Sequence, residues 1–272
     1  MPEGALLAHC GCVLGAHQVA LLAQFFSHLP VRRRPVLGVL STGDEFCAAA
    51  SSPFDRPENN ALLLECLATA LGARCVRLGT APDDVESQRR RLVAALADGP
   101  EACDVLVVIG GSSGGKKDFG ARAIAALPGC RLYGQDQKVS SGRPLTLARV
   151  GQTTVWGLPG HALSLALAAQ VFLAPLLRRL AGLPNDQSAG GSAAFLHARL
   201  GVALPARGPA PTHYPVVLRQ GAGLATAWPV AAGTGKTVVL RDMKGWITVP
   251  GEGPETTGGL RRGAAVRVRL FR

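Results

Sequence analysis

Apolar positions along the chain fall into two kinds of run. Gln18–His28 (QVALLAQFFSH), Asn60–Leu71 (NALLLECLATAL), Val85–Ala97 and Ala162–Leu180 carry them at helical spacing. The boundaries agree: Pro30 follows the first, an Asn opens the second with Gly72 after its end, and Pro82-Asp83-Asp84 leads into the third. Pro35–Leu40 (PVLGVL), Cys75–Leu78, Asp104–Ile109 (DVLVVI) and Val155–Leu158 (VWGL) are short apolar runs that read as buried strands. Short strands alternating with longer helices predict an α/β domain, a mostly parallel sheet between two helical layers. Ligands of such sheets bind beyond the carboxyl ends of the strands. Those ends lead into three loops, Ser41–Glu45, Gly110–Asp118 and Gly157–Ser164.

After Gly182-Leu183-Pro184 the pattern changes. Asn185–Gly191 is a polar linker, and β-rich runs follow at Ala194–Val202, Tyr214–Arg219, Thr237–Leu240, Gly245–Val249 and Ala265–Leu270, separated by Gly/Pro turns. The expectation is a ligand-binding α/β domain over residues 13–183 and a small all-β domain over 190–272.

Composition narrows the class. With 47% apolar and 17% charged residues the chain can build a core and is not intrinsically disordered. The 34 glycines and 19 prolines punctuate it without a period, which indicates many turns. The net charge of +11 welcomes anions; the predominance of arginine over the five lysines also fits a base-composition bias in an Ala- and Gly-rich chain. Seven scattered cysteines make no disulfide framework and fit a reducing compartment. There is no run of ~18 uninterrupted apolar residues and no basic n-region at the start. The expectation is a cytoplasmic protein with neither a membrane nor a nucleic acid as partner.

Gly110-Gly111-Ser112-Ser113-Gly114-Gly115-Lys116 follows a strand and admits three readings. It satisfies G-x-x-x-x-G-K, but Lys117 stands where a P-loop needs a hydroxyl for Mg²⁺, and Asp118-Phe119-Gly120 makes a poor start to a helix packed on the sheet. A glycine-rich loop whose backbone N–H groups cradle an anion is the second reading, and a bare tight turn the third. The acids Asp44-Glu45, Asp83-Asp84 and Asp118 all fall in sheet-end loops, which suggests Mg²⁺ held beside a phosphate. Gly233-Thr234-Gly235-Lys236-Thr237 reads as a hairpin turn before a strand. His9, Cys10, Cys12 and His17 are metal-ligand types without zinc spacing, and read as a frayed N-terminus. His161 sits either at a ligand or simply at the start of a helix.

Four segments in order, RPVLGVLSTGDEF (Arg34–Phe46), GGSSGGKKDF (Gly110–Phe119), SGRP (Ser141–Pro144) and GLPGHALS (Gly157–Ser164), resemble the molybdopterin molybdenumtransferase family. These are the molybdenum insertases related to bacterial MoeA and the E domain of gephyrin. VLGAHQVALLAQF, KTVVLRDMKGWITVP and GGLRRGAAVRVRLF extend the resemblance over about residues 13–272, and the β-rich part favours this branch over the adenylyltransferases. The resemblance implies binding of molybdopterin or molybdenum cofactor, with molybdate and Mg²⁺, and cleavage of an adenylate that leaves the metal on the dithiolene.

By motif match, Glu45, Asp83 and Asp118 take the places of the functional acids, with Asp83 and Asp118 as metal ligands. Thr42, Gly43, Asp44, Gly110, Gly111, Ser113, Gly115, Lys116, Arg143, Pro159, Gly160, His161 and Ser164 take those of cofactor-binding residues. The resemblance starts at the family's third domain, so the family's two N-terminal domains are expected to be absent. The chain also has Ser141-Gly142-Arg143-Pro144 for a PGKP-type loop, Pro159-Gly160-His161-Ala162 for a PGNP-type loop, and the basic pair Lys116-Lys117. Loss of one wall of a site should harm catalysis more than binding. The expected roles are a truncated insertase in cofactor biosynthesis or delivery, a non-catalytic cofactor carrier or subunit of a larger complex, or an unrelated nucleotide-binding enzyme. A homo-oligomer or a protein partner is expected to replace the missing domains.

Overall fold

The computed structural model describes residues 4–47, 58–97, 102–110, 118–139, 143–183, 195–221, 223–230, 239–252 and 258–271. In chain order the first part comprises α1 (Ala16–Leu22), β1 (Val36–Thr42), α2 (Asp44–Cys47), α3 (Asn60–Ala70), β2 (Arg74–Ala81), α4 (Val85–Ala95), β3 (Val105–Ile109) and α5 (Phe119–Ala125). It continues with β4 (Arg131–Val139), β5 (Arg143–Val150), β6 (Thr153–Leu158), α6 (Ala162–Ala168), a π-helical turn (Ala169–Leu173) and α7 (Ala174–Leu180). The second part holds β7 (Phe195–Leu200), β8 (Thr212–Arg219), β9 (Ala225–Pro229), α8 (Val239–Asp242), β10 (Gly245–Val249) and β11 (Ala265–Leu270).

The first six strands form one sheet in the order β2-β1-β3-β6-β5-β4. Its pairs are parallel from β2 to β6 and antiparallel through β5 and β4. β1 and β3 are buried along their whole length, which is why they read as unbroken apolar runs. Alternation of side chains sends Leu37, Val39, Val105 and Val107 into one core with Leu64, Leu165, Leu173 and Leu177. Val36, Leu40, Leu106 and Val108 enter the other core, with Leu92 and Ile124. Ala162–Leu180 is long and apolar enough by composition to cross a membrane, yet its Leu165, Leu173 and Leu177 are fully buried against the sheet. The second part is a closed barrel in the order β10-β11-β7-β9-β8, filled by Leu200, Val216, Ile247, Val249 and Val268.

Several sequence expectations are corrected. Asp118-Phe119-Gly120 does start a helix on the sheet: Asp118 caps α5, and Ala121, Ala123 and Ile124 are buried beneath it. The first helix runs Ala16–Leu22, ending well short of His28, because Leu22 is its one buried residue and nothing holds a longer apolar face. Val239–Asp242 forms a helical turn where a strand was expected over Thr237–Leu240; residues 237–238 lie outside the described residues. The sheet carries an antiparallel hairpin, β4–β5, that the apolar pattern does not reveal. The linker expected at Asn185–Gly191 lies outside the described residues.

Candidate functional site

Hydrogen bonds between neighbouring loops join the carboxyl ends of the parallel strands. The buried Thr42 hydroxyl donates to the Ile109 carbonyl at 3.0 Å, tying the end of β1 to the end of β3. Gly43 N–H donates to the Ala81 carbonyl at 3.1 Å, and Gly110 N–H to the Leu158 carbonyl at 3.0 Å. Gly110 is in a left-handed conformation, φ +100°, and a Cβ there would meet Thr42 Oγ1 at 2.7 Å. A Cβ on Gly160 would come 3.3 Å from Gly110 Cα, so the loops after β3 and β6 touch through their glycines. This close approach of bare backbone is what an anion-binding loop requires.

The acids occupy distinct environments. The Asp44 carboxylate accepts the Asp83 N–H at 2.9 Å, which brings the ends of β1 and β2 together. Asp84 caps α4 by accepting from Ser87 N–H at 2.7 Å, and hydrogen bonds from Ser87 hold its carboxyl below the usual carboxylate range. Glu45 folds its carboxylate over Gly43, where an added Cβ would meet it. Asp118 is buried and accepts Ala121 N–H at 3.0 Å, so one of its oxygens is committed to capping α5. Among the described residues no three His, Cys, Asp or Glu side chains come together as a metal cage, the His9–His17 group included. Mg²⁺ is commonly held by one or two carboxylates plus phosphate oxygens.

Pro159 is buried, whereas His161 is exposed ahead of α6 and contributes its carbonyl to Leu165 N–H. Ser164 lies half-buried in the first turn of α6, and Arg143 opens β5. Gly111, Ser113, Gly115 and Lys116 lie outside the described residues.

One site residue has a different role from the one its position suggests. Asn60 reads as a helix cap in sequence, but Asn59 is the capping position and the Glu58 carboxylate accepts Ala61 N–H at 2.8 Å. The buried Asn60 amide donates instead to the Gly160 carbonyl at 2.7 Å. Only its place before an apolar helix could have drawn attention to it; the direction of the side chain is a tertiary fact.

The fold is a mixed α/β sheet whose loops after β1, β3 and β6 meet at one end, with a small closed barrel appended. The chain belongs to the family described as the probable molybdopterin binding domain, whose profile matches residues 38–179. Among curated relatives, it is 26% identical over 276 residues to a molybdopterin molybdenumtransferase of Bacillus subtilis, covering 99% of this chain and 60% of that protein. It is 28% identical over 188 residues to one of Nostoc sp., covering 66% of this chain and 42% of that protein. The chain thus spans about half the length of these relatives. The crystal structure of a molybdopterin biosynthesis MoeA protein from Pyrococcus horikosii superposes with a TM-score of 0.77 at 27% identity, covering 99% of this chain and 63% of that one.

Proposed function

We propose that the crevice beyond Thr42, Gly110 and Gly160 binds a phosphorylated pterin of the molybdopterin type, and that the chain serves synthesis or delivery of the molybdenum cofactor. The observation that supports this reading is the close approach of Gly160 to Gly110, which brings the loops after β3 and β6 together with no side chain between them. Membership of the probable molybdopterin binding domain family supports the ligand class.

Metal insertion is the second reading, with Asp83 and Asp118 as the expected metal ligands and Asp44 bonded to the Asp83 backbone beside them. There these acids would hold Mg²⁺ against the ligand's phosphate, and the metal would supply charge neutralisation for adenylate cleavage. Pure carriage of the cofactor needs only the loops. The test of the ligand class is oxidation of an extract of the purified protein followed by pterin fluorescence, which should show pterin in near-stoichiometric amount. A nucleotide without pterin would replace this reading with that of an unrelated nucleotide-binding enzyme.

A further inference from the structure

A cleft of about 1120 Å³ opens between the antiparallel side of the sheet and the outside of the barrel. None of the sheet-end residues Thr42, Gly110 and Gly160 lines it. On the sheet side its walls include Tyr133, Trp156 and Phe172, and on the barrel side Phe195 and Trp246.

Three features mark this as a built site. The π-helical turn places Phe172 over Trp156 with ring centroids 5.7 Å apart, and such turns gather at functional sites. Among the described residues the buried Trp156 indole N–H has no hydrogen-bond partner, a cost that a native core seldom carries without reason. Arg267 and Arg269 project from β11 with their guanidinium carbons 4.2 and 5.4 Å from the Phe195 ring centroid. Stacking on that ring restrains the planar forks while leaving their N–H edges available. Among the described residues no acidic side chain lines the cleft and neither arginine has an ion pair.

We propose that this cleft is a second binding site, for a small planar aromatic molecule carrying an anionic group. Its aromatic walls would sandwich the ring, and Arg267 and Arg269 would hold the anion by charge-assisted hydrogen bonds. The unpaired positive charge selects against neutral and cationic rings. The volume is ample for a ring ligand of ordinary size. The cleft is separate from the pterin reading in that, among the described residues, the two sites share no residue.

The tryptophans supply the test. Trp156 and Trp246 line the cleft, while Trp228, the third tryptophan, packs on Gly201 away from it. In a Trp228→Phe chain all tryptophan emission therefore comes from the cleft. The probe is 2-naphthyl phosphate, compared with 2-naphthol and inorganic phosphate by calorimetry and emission. The phosphate ester should bind saturably and at least about tenfold more tightly than either fragment, and Arg267→Ser with Arg269→Ser should weaken it at least about tenfold. Phe172→Ala should weaken it similarly, and it decides the matter if the arginine variant fails to fold. No saturable binding, naphthol binding as tightly as its ester, or undiminished binding by the variants would overturn the assignment. Loss of binding in Gly110→Ala would also overturn it, by locating the probe at the sheet-end loops.

Discussion

The side-chain amide of Asn60 donates a 2.7 Å hydrogen bond to the carbonyl of Gly160, joining the first turn of α3 to the loop after β6 across 100 positions of sequence. Gly160 in turn packs on Gly110, so Asn60 fixes the separation of the two glycine loops without belonging to either. Asn60→Ala should cost about 1 kcal/mol of stability, the net worth of one such bond, and weaken pterin binding several-fold. Asn60→Asp should do worse, because a carboxylate cannot donate and would face a carbonyl oxygen. Urea unfolding and a pterin titration of the same variants check both statements. Unchanged binding in Asn60→Asp would remove Asn60 from the site.

Gly110 tests the loop itself. Its left-handed backbone alone costs an L side chain about 1–2 kcal/mol, and the added Cβ would also press on Thr42 Oγ1 and on the Thr42 carbonyl. Gly110→Ala should therefore lower stability by at least that amount and abolish pterin binding at concentrations that saturate the native chain. A variant of native stability would show that the loop relaxes freely.

What the sequence revealed and what it hid divide along burial. β1, β3 and β6 were legible because strands buried on both faces must be apolar throughout. β4 was not: it is an edge strand like β2, but its Gln135-Asp136-Gln137-Lys138 run shows no apolar pattern where β2 has Cys75–Leu78. α5 is a seven-residue helix with Gly120 in its first turn, too short and too glycine-rich to show a period, and only Asp118 as its cap marks it. Val239 and Leu240 have strand-forming neighbours, but their segment closes into one helical turn before β10. The sheet-end loops were legible as glycine and acid clusters. Their mutual bonds, Thr42 to Ile109 and Asp44 to Asp83, depend on strand order, which local pattern does not encode.

The segment before β1 exposes Val13, Val19, Phe25, Phe26 and Val31, with Phe25 at 54% and Phe26 at 48% of full exposure. Apolar surface of this kind marks interaction sites. The native chain should therefore self-associate or retain a protein partner at tens of micromolar, a range that reveals even weak pairing. Phe25→Asp with Phe26→Asp should release monomers in sedimentation velocity. A native chain that is already strictly monomeric and unaccompanied would contradict this.

His213 predicts a pH dependence. Burial, and secondarily the nearby Arg269, lower its pKa from the ordinary 6.5. The unfolded chain thus takes up this proton more readily than the folded one, so the His213 contribution to stability is complete above pH 6.5 and is lost as pH falls through the folded value. His213→Gln should flatten the pH dependence of urea unfolding between pH 7.5 and 5. An unaltered slope would assign the acid sensitivity to other groups.

Asp118 separates binding from catalysis. Its buried carboxylate caps α5 through Ala121 N–H, a structural duty that any functional reading must accommodate. Asparagine caps as well as aspartate, whereas alanine forfeits about 0.5–2 kcal/mol, so Asp118→Asn isolates the charge and Asp118→Ala also loosens the helix. If the residue's second role is to hold Mg²⁺ beside a phosphate, removing the charge should stop adenylate cleavage. If the chain only carries its ligand, a carboxylate near a phosphate is a repulsion, and Asp118→Asn should bind pterin at least as tightly as the native chain. Lys116, Lys117 and Arg143 add positive charge to the same loops in sequence, which favours the second outcome. We therefore expect Asp118→Asn to keep full pterin affinity and native stability, and the native chain to release AMP from adenylylated molybdopterin slowly or not at all. Fast, Mg²⁺-dependent, molybdate-stimulated AMP release that vanishes in Asp118→Asn would establish the insertase instead.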